Sequence, residues 1–348
     1  MSHYKLCLVG FGNVARALVR LMMRKAGTLE QQYGVTFSFT GIATGAHGLA
    51  VNPDGLDVVQ ALQRIEHGES IVPLSVLELA DPCDVIRNSR ADVMFENSPV
   101  NHRTGQPAID HVCTALQAGM HAITANKGAL VHGYRALTDL AESRGRKFYF
   151  ESTVLGGSPL FSVFREAMPA ADLLSFRGVL NSTTNIILSR MERGESLDQA
   201  VQYCQGIGVA ETDPSADVDG WDAAIKVAAL VTVLMGAPLT PQQVQREGIR
   251  GITPEMIARA RAEGKRYRLV CSASRLDGDV GARVAPELVP PSDPLYGMED
   301  STTGVALRTD VLGDYSIMES ERPDMVAGPE PTAYGEMADF INAVRVRG

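Results

Sequence analysis

A short apolar run, Lys5 to Val9, ends in Gly10-Phe11-Gly12-Asn13-Val14-Ala15 and passes directly into a helical pattern from Val14 through Met23. This strand, glycine turn and helix constrain the fold more than any other feature. A glycine at position 10 permits the tight turn, and Gly12 lets backbone approach a pyrophosphate. The small Ala15 lets helix and strand pack closely. The N–H groups and positive dipole end of the helix complete a phosphate site. Ordinary βα turns also use small residues, so the pattern counts because of the strand before it and the helix after it.

The flanking pattern repeats the theme. Strands are predicted at Thr36 to Ala43, Asp92 to Glu96, His121 to Thr124 and Lys147 to Phe150, and helices at Ala108 to Ala118 and Leu137 to Arg144. Asn97 to Asn101 reads as a loop after its strand. Strands alternating with helices predict a parallel, doubly wound sheet. An acid at the end of the second strand would mark NAD preference by accepting from the ribose hydroxyls. Here that end reads Ala43-Thr44-Gly45, and the next Arg or Lys is Arg64, so NAD and NADP both remain open.

After Phe150 the character changes. The small-residue loop Glu151 to Pro159 is the predicted domain boundary. Beyond it, strands are predicted at Ser175 to Leu180, Tyr267 to Ala273, Val280 to Val284, Val305 to Leu312 and Tyr315 to Met318. Helices are predicted near Thr184 to Met191, Leu197 to Gln205 and Trp221 to Met235, with a final amphipathic helix at Thr332 to Val344. This is an α+β pattern, with an antiparallel or mixed sheet.

Composition narrows the function classes. The 348 residues carry 32 Lys and Arg against 41 Asp and Glu, a formal charge of −9, and no basic cluster, which argues against nucleic-acid binding. The first apolar run stops at Gly10, too soon for a signal peptide. The most apolar segment, Val227 to Leu239, is shorter than the ~18 residues of a membrane span, so no membrane partner is expected. Cys7, Cys83, Cys113, Cys204 and Cys271 are widely spread, and neither CxxC nor HExxH occurs. A reducing cytoplasm suits that usage better than a disulfide framework or a zinc site.

The stretch from Glu211 to Lys226 holds five carboxylates within a dozen residues and leads into a nearly all-apolar helix. A calcium loop counted from Ser215 would put Lys226 where the bidentate Glu is needed, and a cation there repels the ion. Asp222 and Lys226 are the only charges between Trp221 and Met235, and they stand at i and i+4 on one helix face. Lone buried charges are costly, so the two pair or line a polar cavity. Both a buried salt bridge and a substrate-facing lysine satisfy that demand. Lys127 follows a predicted parallel strand at the sheet edge where such folds bind ligands, although most lysines are simply solvated. His102, His111, His121 and His132 read as surface or packing residues, and Met22 and Met23 as packing.

Taken in order, GFGNVA (Gly10 to Ala15), TANKG (Thr124 to Gly128), ESTVLGGSP (Glu151 to Pro159), NSTTN (Asn181 to Asn185), ETDPSADVDGWDAAIK (Glu211 to Lys226) and GPEPTA (Gly328 to Ala333) resemble the homoserine dehydrogenase family over nearly the whole chain. The resemblance implies an α/β Rossmann-like nucleotide-binding domain, residues 1–150 joined by the C-terminal helix at 328–348. It implies an α+β catalytic and dimerisation domain at 151–327. It further implies NADP or NAD as cofactor, a homodimer paired through the second sheet, and a part in amino-acid biosynthesis on the way to threonine and methionine.

Residue by residue, the resemblance makes Lys226 the proton donor, oriented by Asp222, and Lys127 a second active-site lysine near nicotinamide and substrate. Glu211, Asp217, Asp222 and Thr183 would hold the substrate. Gly10, Gly12, Asn13 and Val14 would cradle the pyrophosphate, with Asn97, Ser98, Lys127 and Gly328 approaching the cofactor. Backbone carbonyls of Glu151, Val154, Gly156 and Ser158 match a loop that binds sodium in some relatives. One departure is Ser182, where the family has glycine before the threonine. The chain starts at the first strand and stops after the last helix, so feedback through an appended regulatory domain is not expected. The implied reaction is reversible reduction of L-aspartate 4-semialdehyde to L-homoserine. Two alternatives stay open: a dehydrogenase of another small amino-aldehyde or keto substrate, and a non-catalytic dinucleotide sensor.

Overall fold

The computed structural model describes residues 1–276, 278–320 and 328–345. Its contacts divide the chain into Met1–Pro159 with Pro329–Gly348, and Leu160–Gly328, each built around one six-stranded sheet.

In the first unit, β1 (Ser2–Val9) leads into α1 (Asn13–Tyr33) and then β2 (Val35–Ala43) and β3 (Leu49–Val51). Next come α2 (Val58–Glu66), α3 (Pro82–Ser89), β4 (Val93–Glu96), α4 (Ala108–Gln117), β5 (His121–Thr124), α5 (Lys127–Ser143) and β6 (Phe148–Tyr149). The sheet order is β3-β2-β1-β4-β5-β6. All neighbours are parallel except β2 and β3, which form an antiparallel hairpin at one edge. The chain reverses its direction of travel across the sheet between β1 and β4. In such sheets, ligands bind at the strand C-termini of that switch point.

Several elements differ from the sequence prediction. α1 runs ten residues past Met23, because Ala, Leu, Glu and Gln sustain a helix after its buried stripe has thinned. It stops at Gly34, whose left-handed backbone (φ +67°) donates to the Glu30 carbonyl. α5 starts ten residues before Leu137. Gly128 and Gly133 lower helix propensity there, but both are needed for packing. A Cβ on Gly128 would stand 3.0 Å from the Asn101 carbonyl oxygen, and one on Gly133 would stand 3.1 Å from Ile109. Residues 45–91, unassigned from sequence, hold β3, α2 and α3, with Asp57 and Asp81 capping the two helices.

The second unit holds β7 (Leu173–Val179), α6 (Ser182–Glu192), α7 (Leu197–Gly206), α8 (Ser215–Val218) and α9 (Trp221–Leu234). It continues with β8 (Gln245–Arg246), α10 (Pro254–Ala262), β9 (Arg266–Leu276), β10 (Asp279–Val289), β11 (Thr303–Thr309) and β12 (Gly313–Glu319). The order β12-β11-β7-β9-β10-β8 is antiparallel except for β8 on β10, so the sheet is mixed. The predicted strand through Leu312 ends at Thr309, where a turn closed by the Leu312 N–H on the Thr309 hydroxyl feeds β12.

The chain then returns to the first unit as α11 (Glu330–Val344). Phe340, fully buried, meets Phe95 of β4 at 6.2 Å between ring centres and Tyr4 of β1 edge-on at 5.9 Å. Among the described residues, no helix is long and apolar enough to cross a membrane. All five cysteines are free, and burial pushes the Cys7 and Cys271 thiols up to about 12.

α11 docks as a strap across the first core, so its central aromatic carries the attachment. Phe340→Ala is expected to lower stability by roughly 3–5 kcal/mol through the lost burial and the cavity left behind. Urea denaturation reads this directly. A midpoint unchanged from wild type would mean that the strap does not stabilise the unit.

Candidate active site

At the switch point, Gly10 takes φ +85°, and a Cβ there would stand 2.3 Å from the Asn97 backbone. No side chain fits, which is why the turn after β1 needs glycine. The ladder carries on beyond both strands: Gly10 N–H donates to the Ala43 carbonyl at 3.0 Å, and Asn97 N–H to Val9 at 2.7 Å. Gly12 then serves as N-cap of α1 with no side-chain bond, and the first turn holds no acid. A Cβ on Gly12 would meet open space. Arg16 folds back onto the Gly12 carbonyl and the Asn13 side-chain oxygen, at 3.3 and 2.7 Å. Ala15 is fully buried, as close packing requires, while Val14 is half-buried and Asn13 exposed. Uncapped N–H groups, an open cradle and a dipole end without an acid suit a dinucleotide's pyrophosphate.

The end of β2 has no acid. Thr44 accepts from the His47 N–H at 2.7 Å and donates to the Gly48 carbonyl at 2.9 Å, which ties the hairpin loop.

Asn97 and Ser98, both half-buried, leave β4 beside this turn. The Asn97 amide donates to Glu336 Oε2 of α11 at 3.1 Å. Glu336 is fully buried, and among the described residues no partner meets its other oxygen. Burial pushes its carboxyl well above the usual carboxylate range. The Asn97 bond opposes that rise, and the nearby Asp339 and Glu96 add to it. Lys127, half-buried, is the first residue of α5, whose Asn126 cap accepts from the Gly128 N–H at 3.0 Å.

Glu151 to Thr153 form a short 3-10 turn. The Glu151 N–H donates to Asp339 at 2.7 Å, and the Ser152 hydroxyl to the Thr332 carbonyl at 2.6 Å. Glu151, Val154 and Ser158 are buried, and Gly156 turns at φ +51°. Among the described residues, no group of three or more His, Cys, Asp or Glu side chains is placed to hold a metal. Gly328 is exposed just ahead of α11.

In the second unit the charged pair of α9 is real. Lys226 Nζ stands 2.9 Å from Asp222 Oδ2 and donates to the Leu180 carbonyl at 2.6 Å. The side chains keep 14% and 19% exposure, so the pair opens to the surface instead of lying sealed in the core. Asn181, the cap of α6, joins the rest. Its amide nitrogen donates to Asp217 Oδ1 at 2.7 Å and to Asp222 Oδ2 at 2.9 Å, and its oxygen accepts from the Thr184 N–H at 2.7 Å. Thr183 is buried, its hydroxyl on the Val209 carbonyl at 3.1 Å. The other carboxylates of the acidic stretch go elsewhere. Asp219 pairs with Arg250, and Asp213 accepts from the Ser215 N–H. Glu211 is exposed, and its carbonyl accepts from Gln205.

The structure thus gathers Lys226, Asp222 and Asp217, with Thr183 on the adjoining helix, and leaves Glu211 outside their hydrogen bonds. Lys127 belongs to the first unit and Lys226 to the second. Asn181 and Glu336 were not singled out from sequence. An Asn ahead of Ser-Thr-Thr is a cap signal that could have drawn attention to the first. No local signal marks the second.

A glycine-turn nucleotide fold joined to a unit that presents a poised lysine defines a two-domain, dinucleotide-dependent oxidoreductase. Residues 10–151 match the family model for the homoserine dehydrogenase NAD-binding domain, and residues 159–341 match that for homoserine dehydrogenase. The chain is 32% identical to an NAD(+)-dependent homoserine dehydrogenase of Pseudomonas canavaninivorans over 98% of its own length and 96% of that protein's. It is 33% identical to a homoserine dehydrogenase of Methanocaldococcus jannaschii, covering 96% and 97%. The crystal structure of a putative homoserine dehydrogenase from Archaeoglobus fulgidus superposes with a TM-score of 0.85 at 28% identity, covering 99% of this chain and all of that one. The chain belongs to the homoserine dehydrogenase family.

The upward shift of the Glu336 carboxyl has a measurable consequence. The native carboxyl keeps a proton that the unfolded chain loses above about 4.5, so this group lowers stability as pH rises toward neutrality. Glu336→Gln removes the effect while keeping an acceptor for Asn97. Its thermal midpoint is expected to fall less than that of wild type as pH rises above the ordinary value of about 4.5. Parallel profiles for the two proteins would contradict a raised Glu336 carboxyl.

Proposed function

We propose that the protein interconverts L-homoserine and L-aspartate 4-semialdehyde, with the first unit binding NAD or NADP and the second binding substrate. The observation that carries this reading is the Lys226 ammonium. Asp222 and the Leu180 carbonyl take two of its three N–H donors, leaving the third for a carbonyl oxygen. Gly10, Gly12, Asn13 and Val14 would hold the pyrophosphate, and Asn97, Ser98, Lys127 and Gly328 the nicotinamide end. A bound nicotinamide supplies the hydride.

As the aldehyde is reduced, negative charge grows on its oxygen. An ammonium fixed by two acceptors stabilises that charge without reorganising, then delivers the proton. Asp222 thereby acts on the substrate both directly and through Lys226, and we assign Lys127 as a second catalytic lysine. Asp217, Asp222 and Glu211 supply carboxylates for the substrate ammonium, and Thr183 a hydroxyl. The carbonyls of Glu151, Val154, Gly156 and Ser158 would supply hard oxygen donors of the kind a sodium ion takes. Activity compared in sodium and choline salts tests that ion. We assign the protein to the cytoplasm, supported by its five free thiols, and to amino-acid biosynthesis. A homodimer paired through the second sheet is supported by the exposed Tyr315 and Met318 of β12. Light scattering distinguishes one chain from two.

Lys226→Ala is expected to lower kcat for homoserine oxidation by roughly 10²–10⁴-fold with the fold intact. Near-normal turnover removes Lys226 from the mechanism. At the end of β2, an introduced acid would repel a 2′-phosphate. Thr44→Asp is therefore expected to shift the NADP/NAD ratio of kcat/KM toward NAD by about tenfold, equal to about 1.4 kcal/mol. An unchanged ratio would place the adenosine ribose elsewhere.

A further inference from the structure

Glu96 is the last residue of β4 and is fully buried. A buried carboxylate is costly unless donors surround it, and an apolar side chain would fill the position with less desolvation. Here the donors come from three separate segments. Oε1 accepts from the Ser98 N–H at 3.2 Å and from the Ser98 hydroxyl, and lies 3.2 Å from Nδ1 of the buried His111 on α4. Oε2 takes the Thr124 hydroxyl at 3.2 Å, which is shared with the Glu96 carbonyl at 2.9 Å. Because a carboxylate only accepts, the contact assigns His111 a proton on Nδ1.

The bonds continue outward. The Thr124 hydroxyl oxygen accepts from the Asn126 N–H at 2.9 Å. The Asn126 amide donates to the Ser98 carbonyl at 3.0 Å, and its oxygen caps α5 at Gly128, one residue from Lys127. One buried carboxylate therefore ties the loop carrying Asn97 and Ser98 to the loop carrying Lys127.

We infer that Glu96 is a positioning residue for the dehydrogenase reaction: through Ser98, Thr124 and Asn126 it sets the places of the two loops assigned to the nicotinamide end of the cofactor. This inference rests on the dinucleotide reading above. Glu96 is fully buried and acts through its neighbours. Its removal should displace Ser98 and Lys127 while leaving the Gly10–Val14 turn intact. Misplacement by about 1 Å costs as much as ~10² in rate, whereas binding of the rest of the dinucleotide is retained.

The test compares wild type, Glu96→Ala, Glu96→Gln and Thr124→Val in homoserine oxidation. Glu96→Ala is expected to lose kcat by about 10²-fold with KM for the dinucleotide within about threefold. The isotope effect with homoserine deuterated at the carbinol carbon should rise, because hydride transfer becomes limiting. Glu96→Gln, which keeps one acceptor oxygen, should recover much of the loss. A purely structural role would lower the melting temperature and leave kcat of the folded enzyme and its isotope effect unchanged, which overturns the proposal. If Glu96→Ala does not fold, Thr124→Val decides. It removes one hydroxyl at constant volume, so a kcat about tenfold down supports the proposal, and one within twofold of wild type overturns it. A wild-type protein without turnover on homoserine overturns the functional reading and this inference together. Normal wild-type turnover with unaffected variants overturns this inference alone.

Discussion

An ammonium and a carboxylate four residues apart, on a helix with no other charge, are the interaction around which the second unit's polar cluster is built. An isolated Lys226 on α9 would carry a large desolvation penalty. Asp222 offsets that penalty, and the Leu180 carbonyl takes a second N–H. The arrangement is anchored from outside the helix, because Asn181 donates to Asp222 and Asp217 while capping α6. α6, α8 and α9 therefore meet at one polar cluster, and the geometry of the lysine is set by three elements instead of by its own rotamers.

The first unit uses a related device, buried carboxyl groups holding loops. Two of its buried carboxyls, Glu336 and Asp339, ride on α11 and engage Asn97 and the Glu151 N–H. The aromatic stack of Phe340 on Phe95 and Tyr4 holds that strap in place. Chain from the far end of the sequence thus fixes the loops next to the glycine turn. Side chains on rigid strands and helices position mobile edges more precisely than loops alone can.

Local features were legible in the sequence. The turn at Gly10 could be read because one backbone position with φ +85° and no room for a Cβ admits only glycine. The pair at 222 and 226 could be read because helical spacing alone puts both on one face. Long-range features were not legible. Asn181 gains its role from aspartates 36 and 41 residues away. Glu336 and Glu96 look like ordinary acids until packing removes them from water. The early part of α5 was hidden because Gly128 and Gly133 oppose helix locally and are explained only by what packs against them. Glu211, implied by resemblance as a substrate carboxylate, is exposed and outside the hydrogen-bonded cluster.

The account's central claim is hydride transfer to an aldehyde made acceptable by a fixed ammonium. It is tested most directly by following deuterium. L-Aspartate 4-semialdehyde is reduced by the wild-type protein with dinucleotide deuterated at the transferring position of nicotinamide C4, and the product is read by NMR. The account predicts homoserine with one deuterium on the carbinol carbon, at one label per turnover. Homoserine formed without label, or no homoserine at all, would contradict it.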